Sequence, residues 1–571
     1  MTQSLATPPS TITVGELIAR YLEACGVRAA FGVVSIHNLP ILDAFFQRQH
    51  SPQGIRFVPA RGEAGACNMA DAYARVTRTT GVFVTSTGTG AGNAAGALVE
   101  AMTAGTPLLH LTGQIDSEFV DLDYGFIHEA PDQLGMLKAV SKAAYRIRNP
   151  QTALSILKEA TRVAHTAPCG PVSIEIAIDV QKALLPEPHP ADLKPVFNPS
   201  VLPDGAMLDA LAQALMKAQR PVLWLGGGAR GATLAAQRFA DMGWAIVTSV
   251  QGRGILPEDR HGVLGAFNSQ KPIEAFYATC DALLAVGTRL RSNETLRYQL
   301  KLPPALYRID ANPLAQGRGY ASELFLHGDA QLSLDALADR LEGHLHLGAA
   351  LQTDAMQAKA AAQVTMNHDL GPYTELKDQV ERVFGHDLLW VRDITLSNSM
   401  WGNRLPRLTQ PTQGVHALGG GIGQGLSMAI GAEVANQTHG LHHHTVALIG
   451  DGGFMLNVGE LAACVQEQAQ IVMIVMNDSG YGVIKNIQDD LYGARHGYVD
   501  LVTPKFGAWC SSLGVHHLLL SDPKRTEETL RAAQALQHQG AGAVMVEVDM
   551  KAWGAFNTKF AGPPLKKAAA P

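Results

Sequence analysis

Short apolar runs alternate with longer helix-like stretches along almost the whole chain, and this alternation limits the fold more than any other feature. The first third contains the strand-like runs IRFVPA, GVFVTST, PLLHLTG and PVSIEIA, separated by amphipathic segments such as VGELIARYLEACGV. Apolar runs of this kind suit strands that helices cover on both faces, as in a parallel sheet. The sequence therefore predicts an α/β fold built from doubly wound parallel sheets.

Length and two interruptions of this pattern predict three domains. A chain of 571 residues is longer than one hydrophobic core usually organises. The alternation is interrupted by a proline-rich stretch near 184–205 and later by a segment rich in alanine and glutamine. We expect an N-terminal domain over 1–185, a central Rossmann-like domain over 200–345 and a C-terminal domain over 370–555.

Charge, hydropathy and cysteine usage argue against several classes of function. A net charge of −6 leaves no basic stripe for a nucleic acid. The first residues, MTQSLATPPSTIT, lack the basic and apolar regions of a signal peptide, and no apolar run is long enough to span a membrane. The six cysteines are scattered without a CxxC pair, so neither zinc nor a disulfide framework is supported. We expect a cytoplasmic protein without nucleic-acid or membrane partners.

Two strand ends in the last third carry the most specific pattern. Gly450-Asp451-Gly452 follows the apolar run TVALI, and 24 residues separate Gly452 from Asn477-Asp478, which follows IVMIVM. A carboxylate at a strand-to-helix turn can bind Mg²⁺, and glycines there let backbone N–H groups approach phosphate oxygens. A lone Gly-Asp-Gly is equally compatible with an ordinary turn. The second motif at this spacing favours a diphosphate site.

This pattern, within GDGGFMLNVGELAA and MNDSGYGVI, resembles the GDG…NN signature of thiamine-diphosphate enzymes. The resemblance covers nearly the whole chain and points to the acetolactate synthase, benzoylformate decarboxylase and 2-oxo acid decarboxylase family. It implies that the N-terminal domain binds the pyrimidine and the C-terminal domain the diphosphate. The implied Mg²⁺ ligands are Asp451, Asp478 and the backbone carbonyl of Gly480. The family usually has asparagine where this chain has Asp478, which adds a negative charge to the site.

The resemblance also implies which residues surround the cofactor. Glu63, in ARGEAGACNMADAYAR, matches the glutamate that activates the cofactor through its aminopyrimidine ring, although a glutamate at a helix start is also favoured by the helix dipole. In LGGGIGQGLSMAIGA, the Gly420 carbonyl would accept a hydrogen bond from the aminopyrimidine, and Ile422 would hold the cofactor bent. Residues implied at the diphosphate or over the thiazolium are Thr395, Gly452, Gly453, Tyr481, Val483 and Ile484.

Three further residues are candidates for contact with the substrate. His37, in the loop VSIHN, suits carboxylate binding or proton transfer near pH 7, and a structural role in a turn is an equal alternative. Gln114 and His128 match positions that acetolactate synthases place near the cofactor, which favours carboligation. Ser86 stands where benzoylformate decarboxylases have a catalytic histidine, so their proton relay is not expected here.

Together these features predict a magnesium- and thiamine-diphosphate-dependent enzyme that makes or cleaves carbon–carbon bonds of 2-oxo acids, by decarboxylation or by acyloin- or acetolactate-type carboligation. The resemblance implies a homodimer with active sites at the interface, commonly assembled into a homotetramer. Two alternatives stay open. One is a 2-hydroxyacyl-CoA lyase or oxalyl-CoA decarboxylase-like enzyme, and the other is a cofactor-binding interaction protein without catalysis.

The central domain contains one further glycine motif. Gly226-Gly227-Gly228-Ala229-Arg230-Gly231 has the GxGxxG spacing of nucleotide-binding turns. FAD or a CoA or ADP nucleotide is therefore an alternative ligand. We favour a tight turn in a nucleotide-binding fold that has lost its ligand.

Overall fold

A computed structural model describes residues 10–345, 347–560 and 562. Within them the chain forms three six-stranded parallel sheets, each flanked by helices, and one two-stranded antiparallel sheet. The predicted fold class is confirmed. The first nine residues of the predicted N-terminal domain lie outside the described residues. In the described part of the chain, no helix is both long enough and apolar enough to cross a membrane.

The first sheet is formed by the N-terminal third of the chain. Its region contains the strands β1 (Thr11–Thr13), β2 (Ala29–Gly32), β3 (Arg56–Pro59), β4 (Gly81–Thr85), β5 (Leu108–Gln114), β6 (Ala143–Ile147), β7 (Val172–Ala177) and β8 (Leu184–Pro186). The parallel sheet has the order β3-β2-β4-β5-β7-β6, and β1 pairs antiparallel with β8. The interior strand β5 is buried along its whole length, as its apolar sequence predicts.

The helices of this region follow from amphipathic sequence and from local caps. They are α1 (Val14–Ala24), α2 (Leu39–Arg48), α3 (Glu63–Thr77), α4 (Thr89–Asn93), α5 (Ala95–Ala104), α6 (Gln133–Val140), α7 (Ala153–His165) and α8 (Ile178–Lys182). The Thr13 hydroxyl caps α1 by accepting a hydrogen bond from the Glu16 N–H. Helix α3 is rich in alanine and glycine, so its backbone can approach another helix closely.

The second sheet is formed by the central part of the chain. Its strands are β9 (Pro221–Leu225), β10 (Ala245–Thr248), β11 (Val263–Gly265), β12 (Ala282–Val286), β13 (Ala305–Asp310) and β14 (Leu324–His327). Its helices and the long helix that follows are α9 (Gly205–Leu215), α10 (Thr233–Asp241), α11 (Lys271–Tyr277), α12 (Ala330–Leu341) and α13 (Ala350–Leu370). The strand order is β11-β10-β9-β12-β13-β14. The segment rich in alanine and glutamine lies in α13, which is a helix of 21 residues.

The third sheet carries both motifs of the predicted diphosphate site. Its strands are β15 (Leu388–Arg392), β16 (Gly414–His416), β17 (His444–Gly450), β18 (Ile471–Asn477), β19 (His516–Leu520) and β20 (Val544–Asp549). The helices of this part are α14 (Tyr373–Phe384), α15 (Gly425–His439), α16 (Asp451–Leu456), α17 (Glu460–Gln466), α18 (Gly482–Leu491), α19 (Phe506–Leu513), α20 (Thr526–His538) and α21 (Met550–Trp553). The order β16-β15-β17-β18-β20-β19 places β17 beside β18.

By its contacts the chain divides into two compact units. The first unit contains the chain up to Asn198, Ala417–His442 and Leu456–Ala469. The second unit contains Pro199–His416, His443–Met455 and the chain from Gln470 onward. Within the first unit α15 packs closely on α3, since a Cβ at Gly431 would lie 2.0 Å from the Met69 carbonyl oxygen. The predicted domain ranges 1–185, 200–345 and 370–555 stay predictions.

Candidate active site

One edge of the first sheet gathers three of the predicted site residues together with Ser86. His37 lies in the turn after β2, Glu63 begins α3 after β3, Ser86 directly follows β4, and Gln114 ends β5. These strands are neighbours and parallel, so their carboxyl ends meet at one edge. Ligands of open α/β sheets bind at this edge. The tertiary structure of the first unit therefore brings together side chains that are far apart in the sequence.

Glu63 is half-buried at the first position of α3. Its Oε2 accepts a hydrogen bond of 3.1 Å from the Asn93 side-chain amide. A Cβ at Gly90 would lie 3.1 Å from Glu63 Oε1 and 2.9 Å from the Ser86 Cβ, so both side chains border the same glycine. The carboxylate is oriented by the protein and keeps capacity to accept a further hydrogen bond.

His37 and His128 lie together beside Ser86. The His37 side chain is buried, and its Nδ1 lies 3.4 Å from the Ser86 hydroxyl. The two imidazole rings meet edge to face with their centroids 5.3 Å apart. Burial lowers the pKa of His37, and the neighbouring His128 lowers it further. His37 is therefore neutral near pH 7 and can donate one hydrogen bond and accept another.

Gln114 belongs to a buried hydrogen-bond network. Its Oε1 lies 2.8 Å from the Thr87 hydroxyl and accepts a hydrogen bond from the Ile115 N–H. The Thr87 hydroxyl is also 2.9 Å from Gln133 Oε1, which accepts from the Gly88 N–H. The amide oxygen of Gln114 is thus engaged by the protein, which assigns it at least a structural role.

Gly88 brings the His128 loop against this network. It has a φ of +59°, which a residue with a side chain rarely adopts. A Cβ there would lie only 2.1 Å from the His128 carbonyl oxygen. The close approach of the two backbones therefore requires glycine, and it holds His128 near His37.

Gly420 and Ile422 lie in an exposed turn that precedes α15 in the first unit. Gly420 has a φ of +89°, and Ile422 keeps 37% of its surface exposed. An exposed branched side chain next to glycines offers an apolar surface to a ligand. This arrangement agrees with the roles that the sequence predicts, which stay predictions.

The second unit places Asp451 and Asp478 at adjacent strand ends. Asp451 follows β17 as the first residue of α16, and Asp478 directly follows β18, which pairs in parallel with β17. Asp451 is 1% exposed, and among the described residues its Oδ2 has no hydrogen-bond partner. Burial, followed by the charge of Asp478, raises the pKa of Asp451, and burial also raises the pKa of Asp478. Two like charges placed side by side, one buried and one half-buried, favour the binding of a cation.

A tight loop after Asp478 carries the next predicted residues. Ser479 has a φ of +54°, and the Tyr481 N–H donates to the Val499 carbonyl at 2.9 Å. A Cβ at Gly482 would lie 2.6 Å from Asp478 Oδ2, so glycine leaves room for this carboxylate at the start of α18. Gly480 forms a backbone bridge with Asp500, which lies after α18.

Tyr481 also explains one glycine of the first motif. A Cβ at Gly452 would lie 2.8 Å from the Tyr481 ring, so packing requires glycine here whether or not phosphate binds. Gly453 is buried in α16. Val483 is half-buried in the first turn of α18, and Ile484 beside it is 45% exposed.

Thr395 lies beside the Gly-Asp-Gly turn. Its methyl group is 3.5 Å from the position of a Cβ at Gly450, and its hydroxyl accepts a hydrogen bond of 2.9 Å from the Asn398 N–H. The proximity agrees with the predicted contact to a diphosphate, although the hydroxyl already serves a local turn. No cluster of three or more His, Cys, Asp or Glu side chains suited to a metal occurs among the described residues.

Sequence patterns of one family match all three regions. The profiles described as the N-terminal TPP binding domain, the central domain and the C-terminal TPP binding domain of thiamine pyrophosphate enzymes match residues 12–136, 208–337 and 397–548. A probable 2-ketoarginine decarboxylase from Pseudomonas aeruginosa is 30% identical over 493 residues, which is 85% of each chain. The chain belongs to the thiamine pyrophosphate enzymes.

Other relatives of the enzyme are named as acetolactate synthases. A probable acetolactate synthase large subunit from Methanocaldococcus jannaschii is 27% identical and covers 91% of this chain and 89% of its own. The large subunit of acetolactate synthase isozyme 2 from Escherichia coli is also 27% identical, covering 90% and 92%. The family resemblance found in the sequence is confirmed, and the enzyme is of the 2-oxo acid decarboxylase or acetolactate synthase-like type.

The residues present fit the family's cofactor. The unpartnered Oδ2 of Asp451 and the adjacent Asp478 are hard oxygen donors, which suit Mg²⁺ and a diphosphate. The oriented carboxylate of Glu63 and the exposed turn at Gly420 suit a polar aromatic ring. Each unit of the enzyme thus holds residues appropriate to one end of thiamine diphosphate.

The central glycine run of the enzyme forms backbone hydrogen bonds and close contacts within the protein itself. The N–H groups of Gly226 and Gly228 donate to the carbonyls of Val286 and Gly287. A Cβ at Gly226 would lie 2.2 Å from the Gly287 oxygen. These glycines allow two loops to pack backbone to backbone, and the two N–H groups are not directed at a phosphate.

Two glutamates near these sites, the buried Glu460 and the half-buried Glu547, were not predicted from the sequence. In the first unit, Glu460 accepts hydrogen bonds from the N–H groups of Arg61 and Gly62, immediately before Glu63, and burial raises its pKa. In the second unit, Glu547 accepts from the Asn477 amide at 2.7 Å and contacts His517 Nε2 at 2.7 Å. A charged residue within an apolar strand or at a helix start is the only local signal for either role.

Proposed function

We propose that this enzyme binds thiamine diphosphate through Mg²⁺ and decarboxylates a 2-oxo acid, after which it either releases an aldehyde or joins the product to a second carbonyl compound. The observation that carries the proposal is the pair of acids at adjacent strand ends, the buried Asp451 and the half-buried Asp478, with one unpartnered carboxylate oxygen on Asp451. Relatives named 2-ketoarginine decarboxylase and acetolactate synthase support this choice of reaction.

The metal side of the site would be built by the second unit. Asp451 and Asp478 would each supply a carboxylate oxygen to Mg²⁺, and Gly480 would supply its carbonyl. Because Asp451 is buried and Asp478 is half-buried, the ion would remove an electrostatic penalty as it binds. Around the diphosphate and the ring beyond it we place Thr395, Gly452, Gly453, Tyr481, Val483 and Ile484.

The pyrimidine side would be built by the first unit. Glu63 would share a proton with the aminopyrimidine, Gly420 would accept a hydrogen bond from its amino group, and Ile422 would support the bent shape. When bound, thiamine diphosphate supplies a carbon nucleophile and an acceptor for the electrons released as CO₂ departs. Val483 and Ile484 would give apolar walls that exclude water from that carbon.

His37 and His128 would bind the substrate and transfer protons there. A neutral His37 can donate a hydrogen bond to a substrate carboxylate or carbonyl, and Ser86 orients its ring. His128 would exchange a proton with the product, since its exposed loop lies next to the ring of His37. Gln114 would act beside them through its amide nitrogen, because its oxygen is engaged by Ile115 and Thr87.

The assembly and location of the enzyme belong to the same proposal. We place the active site at a homodimer interface, with two dimers forming a tetramer, as the family resemblance implies. A cytoplasmic location stays a prediction from the sequence.

The test is a product analysis on purified enzyme. Enzyme with Mg²⁺ and thiamine diphosphate is incubated with pyruvate, a branched 2-oxo acid, benzoylformate and 2-ketoarginine, and CO₂, aldehyde and acyloin or acetohydroxyacid are measured separately. We expect CO₂ from at least one substrate only when both cofactors are present. The matched control is Asp451→Asn, which keeps the side-chain volume and should abolish release. If no substrate of the panel releases CO₂, or if the control variant releases CO₂, the proposal is contradicted.

A further inference from the structure

The exposed glycine turn of the first unit is held at its start by a buried glutamate. Glu100 on α5 is 1% exposed, and its two carboxylate oxygens accept hydrogen bonds from the N–H groups of Leu418 and Gly419. Each bond joins residues more than 300 positions apart. A carboxylate that accepts two backbone N–H groups fixes the direction of that backbone.

Glu100 and Asp71 both lie beside one buried cation, Arg75, in the same core. Arg75 on α3 lies 3.4 Å from Glu100 Oε1 and donates to Asp71 Oδ1 at 2.9 Å. Both Arg75 and Asp71 are buried. Arg75 therefore provides a buried positive charge beside the carboxylate that accepts the two backbone hydrogen bonds.

The other end of the turn is held as well. The side-chain amide of Asn457 donates a hydrogen bond of 2.5 Å to the Gly423 carbonyl oxygen. Leu418 and Gly423 are buried, whereas Gly419, Gly420, Gly421 and Ile422 between them are exposed. The structure thus has a surface loop whose two ends are fixed by side chains from elsewhere in the unit.

We propose that Glu100 and Asn457 are positioning residues that set the conformation of the turn 419–422 for the aminopyrimidine ring. This inference rests on the proposed function, which gives Gly420 and Ile422 to that ring. A turn of glycines has many accessible conformations, and holding one of them in advance reduces the entropy lost when the ring binds. The two residues need not touch the cofactor.

Binding of two probes separates positioning from general damage. The affinities of thiamine diphosphate and of inorganic pyrophosphate, each with Mg²⁺, are measured by calorimetry for wild type, Glu100→Gln and Asn457→Ala. Both variants should bind thiamine diphosphate roughly tenfold or more weakly, as expected for a lost hydrogen bond to a charged or buried group. Pyrophosphate, which lacks the ring, should bind with wild-type affinity. Glu159→Gln, an exposed glutamate of α7 in the same unit, should leave both affinities unchanged.

A substitution at Gly419 adds a second test. It compares the same substitution in two backgrounds, so it does not depend on the stability of one variant. A Cβ at this position would lie 2.6 Å from Glu100 Oε2. Gly419→Ala should therefore weaken thiamine diphosphate binding in the wild-type background and have a smaller effect in Glu100→Ala, which makes room. The fold-loss of thiamine diphosphate affinity caused by Gly419→Ala should be at least about threefold larger in the wild-type background than in Glu100→Ala, as for other neighbouring residues that are energetically coupled.

The outcomes distinguish this inference from the proposed function. If wild type binds no thiamine diphosphate, the proposed function fails. If wild type binds it and both variants bind it equally well, the positioning role is wrong while the function stands. If the variants lose pyrophosphate and thiamine diphosphate affinity in parallel, the effect is general loss of structure, and the positioning role is again wrong.

Discussion

At the scale of single residues, burial and neighbouring groups assign different roles to acidic side chains. Glu63 is half-buried and oriented by Asn93, so it keeps capacity for a ligand. Asp451 and Asp478 place two like charges next to each other, and burial together with this neighbour raises the pKa of Asp451. Glu100 and Glu460 are buried and accept backbone N–H groups, so they serve the fold.

Glu63→Gln tests the assigned activation of the cofactor. The amide keeps the size of the side chain and loses the ability to share a proton, so we expect turnover to fall by about 100-fold or more, in the range of acid–base catalysts. Affinity for thiamine diphosphate should change little, because the diphosphate is held elsewhere. Steady-state kinetics and calorimetry measure the two effects. Turnover near the wild-type level would rule out the assignment.

Asp478→Asn tests the repulsion between Asp451 and Asp478. The asparagine keeps an oxygen ligand and removes one of two like charges, so the metal-free enzyme should gain stability, on the order of 1 kcal/mol. The increase in Tm on adding Mg²⁺ and thiamine diphosphate should be smaller than in wild type. Differential scanning calorimetry measures both. As a control, Asp192→Asn changes an exposed aspartate far along the chain and should leave Tm unchanged.

At the scale of elements, the interior strand β5 carries a histidine that the catalytic proposal does not use. His110 is fully buried, its ring stacks on Phe83, and its nitrogens contact Thr85 and Ser173 at 2.9 and 3.0 Å. Burial lowers its pKa from 6.5 to about 3. The side chain is neutral in the folded protein, and its role is to fill a polar position in the sheet.

His110 makes the first unit sensitive to acid. The unfolded chain takes up a proton below pH 6.5, whereas the folded protein accepts it only near pH 3, so stability falls as the pH falls between these values. Between pH 7 and pH 5 the loss from this group is about 2 kcal/mol. His110→Asn should lower Tm at pH 7 but reduce the further drop at pH 5. The exposed His50→Asn should keep the wild-type drop, and an equal drop in His110→Asn would contradict the prediction.

The loops that follow β9 and β12 lead to a prediction about flavin. Because Gly226 and Gly228 donate their N–H groups to the chain itself, we expect no tight nucleotide site at this turn. Enzyme purified with FAD in the buffer and then desalted should show no flavin absorbance near 450 nm. A stoichiometric yellow cofactor would show that these loops open and that the alternative with FAD is correct.

At the scale of the whole molecule, the residues proposed for the two ends of the cofactor belong to different units of the chain. Glu63, Gly420 and Ile422 lie in the first unit, and Asp451 and Asp478 lie in the second. The proposed function places the cofactor between two subunits. One active site would then combine Glu63 of one subunit with Asp451 of the other.

Complementation between two inactive variants tests this arrangement. Glu63→Gln and Asp451→Asn are each expected to be inactive, and a hybrid dimer would contain one intact site if sites are shared between subunits. Co-expression with two different affinity tags and tandem purification yields hybrids, which should show about half of the wild-type activity per dimer. If each site is formed within one chain, the hybrids are inactive. Wild type carrying both tags controls for the tags.

The sequence by itself determined the alternation of strands and helices, the family and the positions of the two aspartate motifs. These features depend on local periodicity and on spacing within short segments, which the order of residues records directly. It predicted that Glu63 begins a helix after a strand and that Asp451 and Asp478 follow two apolar strands, and the structure confirms those positions.

Only the tertiary structure decided which polar groups meet in the interior. Glu460 reaches the backbone of Arg61 over 399 positions, and Glu100 reaches Gly419 over 319 positions. The same holds for the unpartnered oxygen of Asp451 and for the pairing of His37 with His128. Burial and hydrogen bonding at these sites depend on how distant segments pack against each other, and no local pattern in the sequence records that packing.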